Sequence, residues 1–193
     1  MNDTWYEEVE ARTKLMQGDL ILRCPLISWK DEAPQLDGHG EAELLRTMTN
    51  AIQADVVVMT QACDLENEKV QNVVLCPHLS LTEYYRAWKA EMAGMKQNPS
   101  DKAWGRYCDD IRDGYIWNLA MLNSGNTSNL TTEHRVVDFH DIFTVPRIFL
   151  ESLLQQREQE RLRLLPPYRE HLSQAFARYF MRVGLPSPVR KNW

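Results

Sequence analysis

The sequence lacks long apolar runs and is poor in glycine and proline, and these absences bound the class of protein. Its longest apolar runs, such as the one at 55–59, stop far short of the roughly 20 residues that a membrane-spanning helix needs. With 9 prolines, 8 glycines and 44% hydrophobic residues among 193, the composition is typical of a folded domain rather than a disordered or fibrous chain. The N-terminus shows no basic segment followed by an apolar one. We therefore expect one globular domain over 1–193, in the cytoplasm.

Cysteine is scarce and is not spaced for metal binding. The four cysteines, at positions 24, 63, 76 and 108, form no C-x2-C pair and have no histidine at a zinc-ligand spacing. Reduced thiols are therefore expected. The nucleophile-elbow, P-loop, dinucleotide-binding and H-E-x-x-H motifs are also missing. We predict no metal and no other cofactor.

Positive charge is concentrated at one end of the chain. Lys and Arg outnumber Asp and Glu by eight to three in 156–193, a net charge of +5, so the rest of the chain carries −10 within the overall −5. This segment favours an anionic partner, and its binding candidates are Arg178 and Arg182, four residues apart on the last predicted helix. The alternative is that the arginines line a solvated helix face and contact the acidic remainder of the same domain.

Five segments are predicted strands, at about 17–25, 54–60, 72–77, 115–122 and 135–139. The second and third are continuous β-branched runs, which are typical of strands buried on both faces. Their connection is too short for a parallel crossover, so we expect antiparallel neighbours. The expected register places Thr60 beside Asn72 and Asp55 beside Cys76.

Apolar residues at helical spacing predict a helical insertion over about 81–112 and C-terminal helices over about 147–184. Residues 1–15 are predicted to form a short helix or arm, and 28–53 to form one long connection. The predicted fold class is therefore α+β.

A polar cluster after the strand at 54–60 is the leading candidate for a site. Cys63 is a nucleophile in this interpretation if a base or a positive field lowers its pKa from about 8.5. Asp64 lies beside it as a catalytic candidate, and Thr60 and Gln61 are binding candidates. The alternative is a packed thiol next to side chains that shape a turn.

Histidines supply further candidates. The expected hairpin puts His78 about 20 Å from Cys63, at roughly 3.3 Å per residue, so His134 and His140 remain as partners for the thiol. Asp138 and His140 share a face if their segment is extended, and with Asp141 they could bind a metal or move a proton. Because two ligands without a third do not define a metal site, no metal is predicted there.

Aromatic residues are frequent in and after the helical insertion. Trp88, Trp104, Tyr107, Tyr115 and Trp117 could stack on nucleic-acid bases. The alternative, which aromatic residues at helical spacing favour, is packing against one another in the core.

Four short segments, in order along the chain, carry a family resemblance. Gln-Gly-Asp-Leu-Ile at 17–21, Val-Val-Val-Met-Thr at 56–60 and Asn-Val-Val-Leu-Cys-Pro at 72–77 are similar to the first three strands of the MazF/PemK toxin superfamily. The segment at 136–145 resembles a later strand of that superfamily. The matches cover roughly a third of the chain. The resemblance implies a small SH3-like antiparallel β-barrel, often a ribonuclease, for which a homodimer is one expected assembly.

The chain departs from this family at the active site. Ala54-Asp55 stands where ribonuclease members carry a catalytic Arg followed by Pro, so the resemblance implies a degenerate endoribonuclease site. Ser80, shifted by about one position, corresponds to the family's catalytic hydroxyl residue. His78 and Ser80 could still act as base and hydroxyl, with Arg46 or Arg23 supplying positive charge.

Three functions follow as hypotheses. The first is a MazF/PemK-like barrel that binds RNA or another anionic partner in a bacterial toxin–antitoxin or defence context. The second is a Cys63-dependent enzyme acting on a small substrate. The third is a non-catalytic protein-interaction module, whose mark is an exposed apolar patch larger than the few hundred Å2 usual on a monomer.

Overall fold

The computed structural model describes residues 4–33 and 40–181. The strands are β1 (Tyr6–Val9), β2 (Leu20–Trp29), β3 (Thr49–Val58), β4 (Asn72–Ser80), β5 (Leu119–Leu122), β6 (Gly125–Asn126), β7 (Thr131–Thr132), β8 (Arg135–Asp138), β9 (Phe143–Pro146) and β10 (Arg161–Leu164). The helices are α1 (Glu41–Met48), α2 (Ala62–Glu66), α3 (Leu81–Gly94), α4 (Asp101–Arg112), α5 (Arg147–Gln156) and α6 (Tyr168–Phe180). The predicted α+β class is confirmed. No helix within the two described ranges is both long and apolar enough to cross a membrane.

The central sheet is antiparallel and curls without closing. Its strands follow the order β2-β3-β4-β8-β5. β9 also pairs with β4, at Asn72–Leu75, while β8 pairs with β4 at His78–Ser80. Within the described ranges β2 pairs in the sheet only with β3, and β9 only with β4. The ladders therefore leave a gap between β2 and β9, and they do not confirm the small closed barrel.

A second, two-stranded sheet corrects two predictions. β1 lies in the segment expected to be a helix or arm, and β10 interrupts the segment expected to be helical over 147–184. All four residues of β10 are buried, including Arg161 and Arg163. Both guanidinium groups pair with the buried carboxylate of Asp19. The sequence does not predict β10, because arginines at this spacing are typical of the solvent-exposed face of a helix. Their partner, Asp19, lies far away in the sequence.

The central hairpin is antiparallel as predicted, but its register differs. Val57 lies opposite Cys76, so Asp55 continues to a position beside His78 rather than beside Cys76. The hydroxyl of Thr60 accepts a hydrogen bond from the backbone of Val74 at 2.7 Å. The predicted register was wrong by one or two residues because the connection contains the helix α2 and does not act as a simple turn.

Other boundaries move for identifiable reasons. The segment 28–53 is not one connection, because β2 continues to Trp29 and α1 leads directly into β3. The strand predicted at 115–122 begins only at Leu119, after a turn that contains Gly114 with a φ of +74°. The helical insertion is confirmed as α3 and α4, and their N-termini are capped by the side chains of Ser80 and Ser100.

Apolar side chains pack against both faces of the curled sheet. One cluster lies under β1, β10 and α6 and includes Val57, Phe139 and Leu172. The other lies inside the curl under α5 and includes Leu26 and Leu75. The curl therefore has a filled interior even though its two terminal strands do not meet.

Candidate binding groove

The second half of β2 has a free edge. Lys30 donates its backbone N–H to the carbonyl of Met48 at 2.8 Å. The residues of β2 whose backbone groups bond to β3 are therefore the even-numbered ones. Because hydrogen-bonded pairs alternate in an antiparallel ladder, the N–H and C=O groups of Ile27 and Trp29 point away from β3. Their side chains are 71% and 68% exposed, whereas that of Leu26 is buried.

β9 has the complementary free edge. Arg147 donates its backbone N–H to the carbonyl of Gln71 at 2.8 Å. The backbone N–H and C=O groups of the odd-numbered residues of β9 therefore point toward β4. The N–H and C=O groups of Thr144 therefore point away from β4. Pro146 offers no N–H on that edge, and as the N-cap of α5 its carbonyl accepts the first hydrogen bond of the helix, so Thr144 carries the free groups.

A groove of about 870 Å3 lies between these two edges. Its walls are the segments 25–29 and 140–146, together with Ile52 and Phe149. Asp141 is the one carboxylate and His140 the one histidine among the described lining residues, which include no lysine or arginine. The volume falls within the range of ligand clefts, and the lining is apolar with a weakly acidic end.

His140 is oriented at that end of the groove. Its Nδ1 lies 3.2 Å from a carboxylate oxygen of Asp138 and 3.1 Å from the amide nitrogen of Asn118. The ring of Tyr179, on α6, contacts the imidazole edge-on with centroids 5.6 Å apart. The predicted pairing of Asp138 with His140 is therefore present. The described residues contain no group of three or more metal-ligating side chains.

The first half of β2 is covered instead of free. A bulge separates Ile21 from Cys24, and Arg23 within it has a φ of +49°. Arg157 donates to the carbonyls of Leu22 and Arg23, at 3.5 and 3.1 Å. Just before β2, Asp19 forms a β-bridge with Arg163. Bulges bend the strand that carries them, so this one separates a covered segment from an exposed one.

In the described part of the basic C-terminal segment, 156–181, two arginines are engaged inside the molecule. Asp19 is fully buried and accepts from both Arg161 and Arg163. Arg161 also donates to the carbonyls of Glu10, Thr13 and Lys14, which fastens the loop before β2. These two arginines are therefore unavailable to an external anion.

One described arginine of the segment stays near the surface with an aromatic partner. The guanidinium carbon of Arg178 lies 5.2 Å from the ring centroid of Trp117, a cation–π distance. Trp117 is partly exposed, and Tyr115 beside it is exposed. Arg182, the other candidate for an anionic partner, lies outside the described residues.

A partly buried cluster of ionisable side chains, in which only His78 is fully buried, was not foreseen from the sequence. Arg135 pairs with Asp55 at 2.9 Å and places Nη1 3.0 Å from Nδ1 of His78. Since arginine only donates, Nδ1 accepts and the neutral ring holds its proton on Nε2. Burial, and then the charge of Arg135, lower the pKa of His78 to about 3. The three residues lie on three strands, which is why no local motif marks them.

The Cys63 cluster lies at the opposite end of the hairpin from His78. Its Sγ is exposed and contacts two acceptor oxygens, Oε1 of Gln61 at 3.7 Å and Oδ1 of Asp64 at 3.8 Å. Among the described residues, the hydrogen-bond partners of the candidate nucleophile are thus one carbonyl oxygen and one carboxylate oxygen. Thr60 is occupied by its backbone hydrogen bond.

Ser80 and His134 serve the start of α3. The hydroxyl of Ser80 accepts from the backbone N–H of Glu83 and donates to its carboxylate at 2.7 Å, in a capping box. The carbonyl of His134 accepts from Leu81 at 2.7 Å. The candidate catalytic residues therefore have different hydrogen-bond partners and do not converge in one cleft. They are Cys63, His78, Ser80 and His140.

The aromatic residues of the insertion pack on one another. Trp88 and Trp104 have ring centroids 5.0 Å apart, and the hydroxyls of Tyr84 and Tyr107 lie 3.1 Å apart. These rings are occupied by mutual contacts between α3 and α4, as the core-packing alternative predicts.

Apart from His140 and Asp141, the residues that line the groove were not candidates from the sequence. Pro25 was interpreted as the end of the first strand, and the next residues as part of a connection. Proline is tolerated on the free edge of a strand. The apolar residues that continue at Leu26 were therefore the signal that the strand extends beyond Pro25.

Comparisons of the chain with family models, with curated proteins and with solved structures found no match. The fold and the groove define the class to which it belongs. It is an α+β protein with an open, curled antiparallel sheet and an apolar cleft between two free strand edges.

Proposed function

We propose that this protein is a non-catalytic interaction module that binds a segment of another polypeptide in the groove between β2 and β9. The observation that carries the proposal is that two free strand edges face one cleft. Backbone groups on such edges bind added strands, and exposed apolar side chains of the kind seen at Ile27 and Trp29 anchor partners.

The proposal includes a finer view of the fold. In it, β2, β3, β4 and β9 correspond to the strands of a MazF/PemK-like barrel, and the groove is the seam of that barrel. A bound polypeptide would then complete the closure that the strands of the chain leave open.

Two variants with the same chemistry test the proposal. Peptides selected from a random decapeptide library on the native protein are expected to lose binding to Ile27→Arg and to keep it with Ile148→Arg. Ile27 and Ile148 are 71% and 72% exposed, but only Ile27 lines the groove. Equal binding to both variants, or no enriched peptide at all, would overturn the proposal.

A second candidate function is binding of RNA or another anionic partner, in a toxin–antitoxin or defence context. The contact of Arg178 with the exposed face of Trp117 supports it, because arginine and tryptophan both stack on bases. A single-stranded RNA oligonucleotide at low salt should bind less tightly to Arg178→Ala, with Arg46→Ala as an exposed control. RNA affinity that is absent, or equal in the two variants, would eliminate this candidate.

A further inference from the structure

The walls of the groove specify what shape of polypeptide can fill it. β2 is antiparallel to β3, β3 to β4, and β4 to β9, so β2 and β9 run in opposite directions. A single strand between them must be parallel to one edge and antiparallel to the other. Ladder hydrogen bonds on both sides need free backbone groups on both edges, and Ile27 and Thr144 supply them.

The two faces of such a strand would meet different surroundings. On the inner side, the flanking side chains are Leu26 from β2 and Phe143 and Val145 from β9, all members of or packed against one apolar cluster. On the outer side, the neighbours are the exposed Trp29 and Thr144. Because side chains alternate along a strand, every second residue of the occupant should be apolar.

The charges around the groove specify the flanks of the occupant. Asp141 lines one end of the groove, and the residues that follow Trp29 are Lys30, Asp31 and Glu32, with a net charge of −1. No lysine or arginine lines the groove among the described residues. Opposite charge therefore favours lysine or arginine next to the apolar core of the occupant.

We infer that the groove takes one extended strand of a partner protein, with β-branched or aliphatic residues at every second position and basic residues at its ends, held by main-chain hydrogen bonds to both edges. The inference rests on the proposed function and narrows it. A partner that binds only through side-chain contacts, or as a helix, would satisfy the proposed function and not this inference.

The probe is the acetylated, amidated peptide Lys-Val-Thr-Val-Thr-Val-Lys. Its controls are Lys-Val-Val-Thr-Thr-Val-Lys, which has the same composition without full alternation, and Glu-Val-Thr-Val-Thr-Val-Glu, which reverses the flanking charge. Calorimetry should show the probe binding about tenfold more tightly than each control. Methylation of the backbone nitrogens on one edge of the probe should weaken binding by about tenfold, through the loss of ladder hydrogen bonds.

Amide hydrogen exchange supplies the readout that a side-chain contact cannot imitate. The N–H groups of Ile27 and Thr144 should exchange quickly in the protein alone and become protected when the probe binds. The N–H groups of Leu26 and Val145, already paired with β3 and β4, serve as internal controls.

Each other outcome overturns the inference in a distinct way. Library peptides that bind and are lost in Ile27→Arg, without protection of the two amides, would contradict strand addition and leave the proposed function standing. Protection in the protein alone that rises with protein concentration would identify a second copy as the occupant. Protection at all concentrations would show that the chain fills its own groove.

Discussion

The two halves of β2 differ in whether the unpaired backbone groups on the strand edge have partners. At the bulge, the carbonyls of Leu22 and Arg23 accept from Arg157, and just before the strand Asp19 bridges to β10 and is held by two buried arginines. After the bulge, Ile27 and Trp29 leave both backbone and side chains exposed. Covering a strand edge prevents it from pairing with another chain, whereas an exposed edge with apolar side chains is typical of a protein-binding surface. The contrast separates the part of β2 that stabilises the fold from the part that is available for binding.

The largest effect is expected from removing the buried carboxylate of the covered half. Asp19→Ala leaves the buried guanidinium group of Arg161 without a counter-ion and Arg163 with only Glu7, at 3.6 Å, which should lower the free energy of unfolding by about 3–5 kcal/mol. Urea denaturation measures the change. Glu43→Ala, which breaks the exposed pair with Arg46, should change stability by less than about 1 kcal/mol. Similar losses of stability in the two variants would show that the contacts of Asp19 with Arg161 and Arg163 do not stabilise this part of the fold.

A close contact beside β1 should have the next largest effect. A Cβ atom at Gly125 would lie 2.4 Å from the ring of Tyr6, which is buried in the core. Gly125→Ala should therefore destabilise the protein by about 1–3 kcal/mol. At Gly105, inside α4, a Cβ atom meets nothing within 4 Å, so Gly105→Ala should raise stability by about 0.5–1 kcal/mol. Thermal unfolding of both variants checks the opposite signs.

Acid should weaken the protein through His78. The folded pKa of this residue is about 3, below the unfolded value near 6.5, so the unfolded state binds the extra proton between these pH values. The contribution is complete well above pH 6.5 and is lost as the pH falls, with a slope that approaches about 1.4 kcal/mol per pH unit. His78→Gln should show a shallower loss in unfolding measured from pH 7 to 4. An unchanged slope would contradict the assignment.

The smallest effect on stability is expected in the exposed half of β2. Ile27→Thr should change the free energy of unfolding by less than about 0.5 kcal/mol, because its side chain is mostly in solvent. Leu26→Ala, one residue away on the buried face, should cost about 2–5 kcal/mol. If both variants lost stability equally, Ile27 would belong to the fold and the contrast within β2 would fail.

The elements that could be predicted are those with a strong local pattern. Val56–Val58 and Val73–Leu75 are β-branched or aliphatic runs, and both lie in buried central strands. The helices α3, α4 and α6 were predicted from apolar spacing and capping residues, which act within a few positions. The gap between β2 and β9 could not be predicted, because it depends on which strands do not meet.

The candidate site shows the same limit. The expected contact between Asp138 and His140 is present, but it arises at a bend after β8, where the Asp138 carboxylate also accepts from the backbone N–H of His140 at 2.9 Å, and not from an extended chain. The contact of Arg135 with Asp55 and His78 was missed, since it joins three strands across a bent sheet. The expectations about Cys63, RNA binding and a homodimer stay predictions.

By itself, the sequence determined the α+β class, the antiparallel hairpin and the helical insertion, because hydrophobic period and capping act over short distances. Only the tertiary structure decided that arginines in the basic C-terminal segment are buried on Asp19, more than 140 residues earlier in the chain. It also decided that the second half of β2 has no covering strand among the described residues. Long-range pairing removes some charges and backbone groups from solvent and leaves others exposed, and no local pattern specifies which.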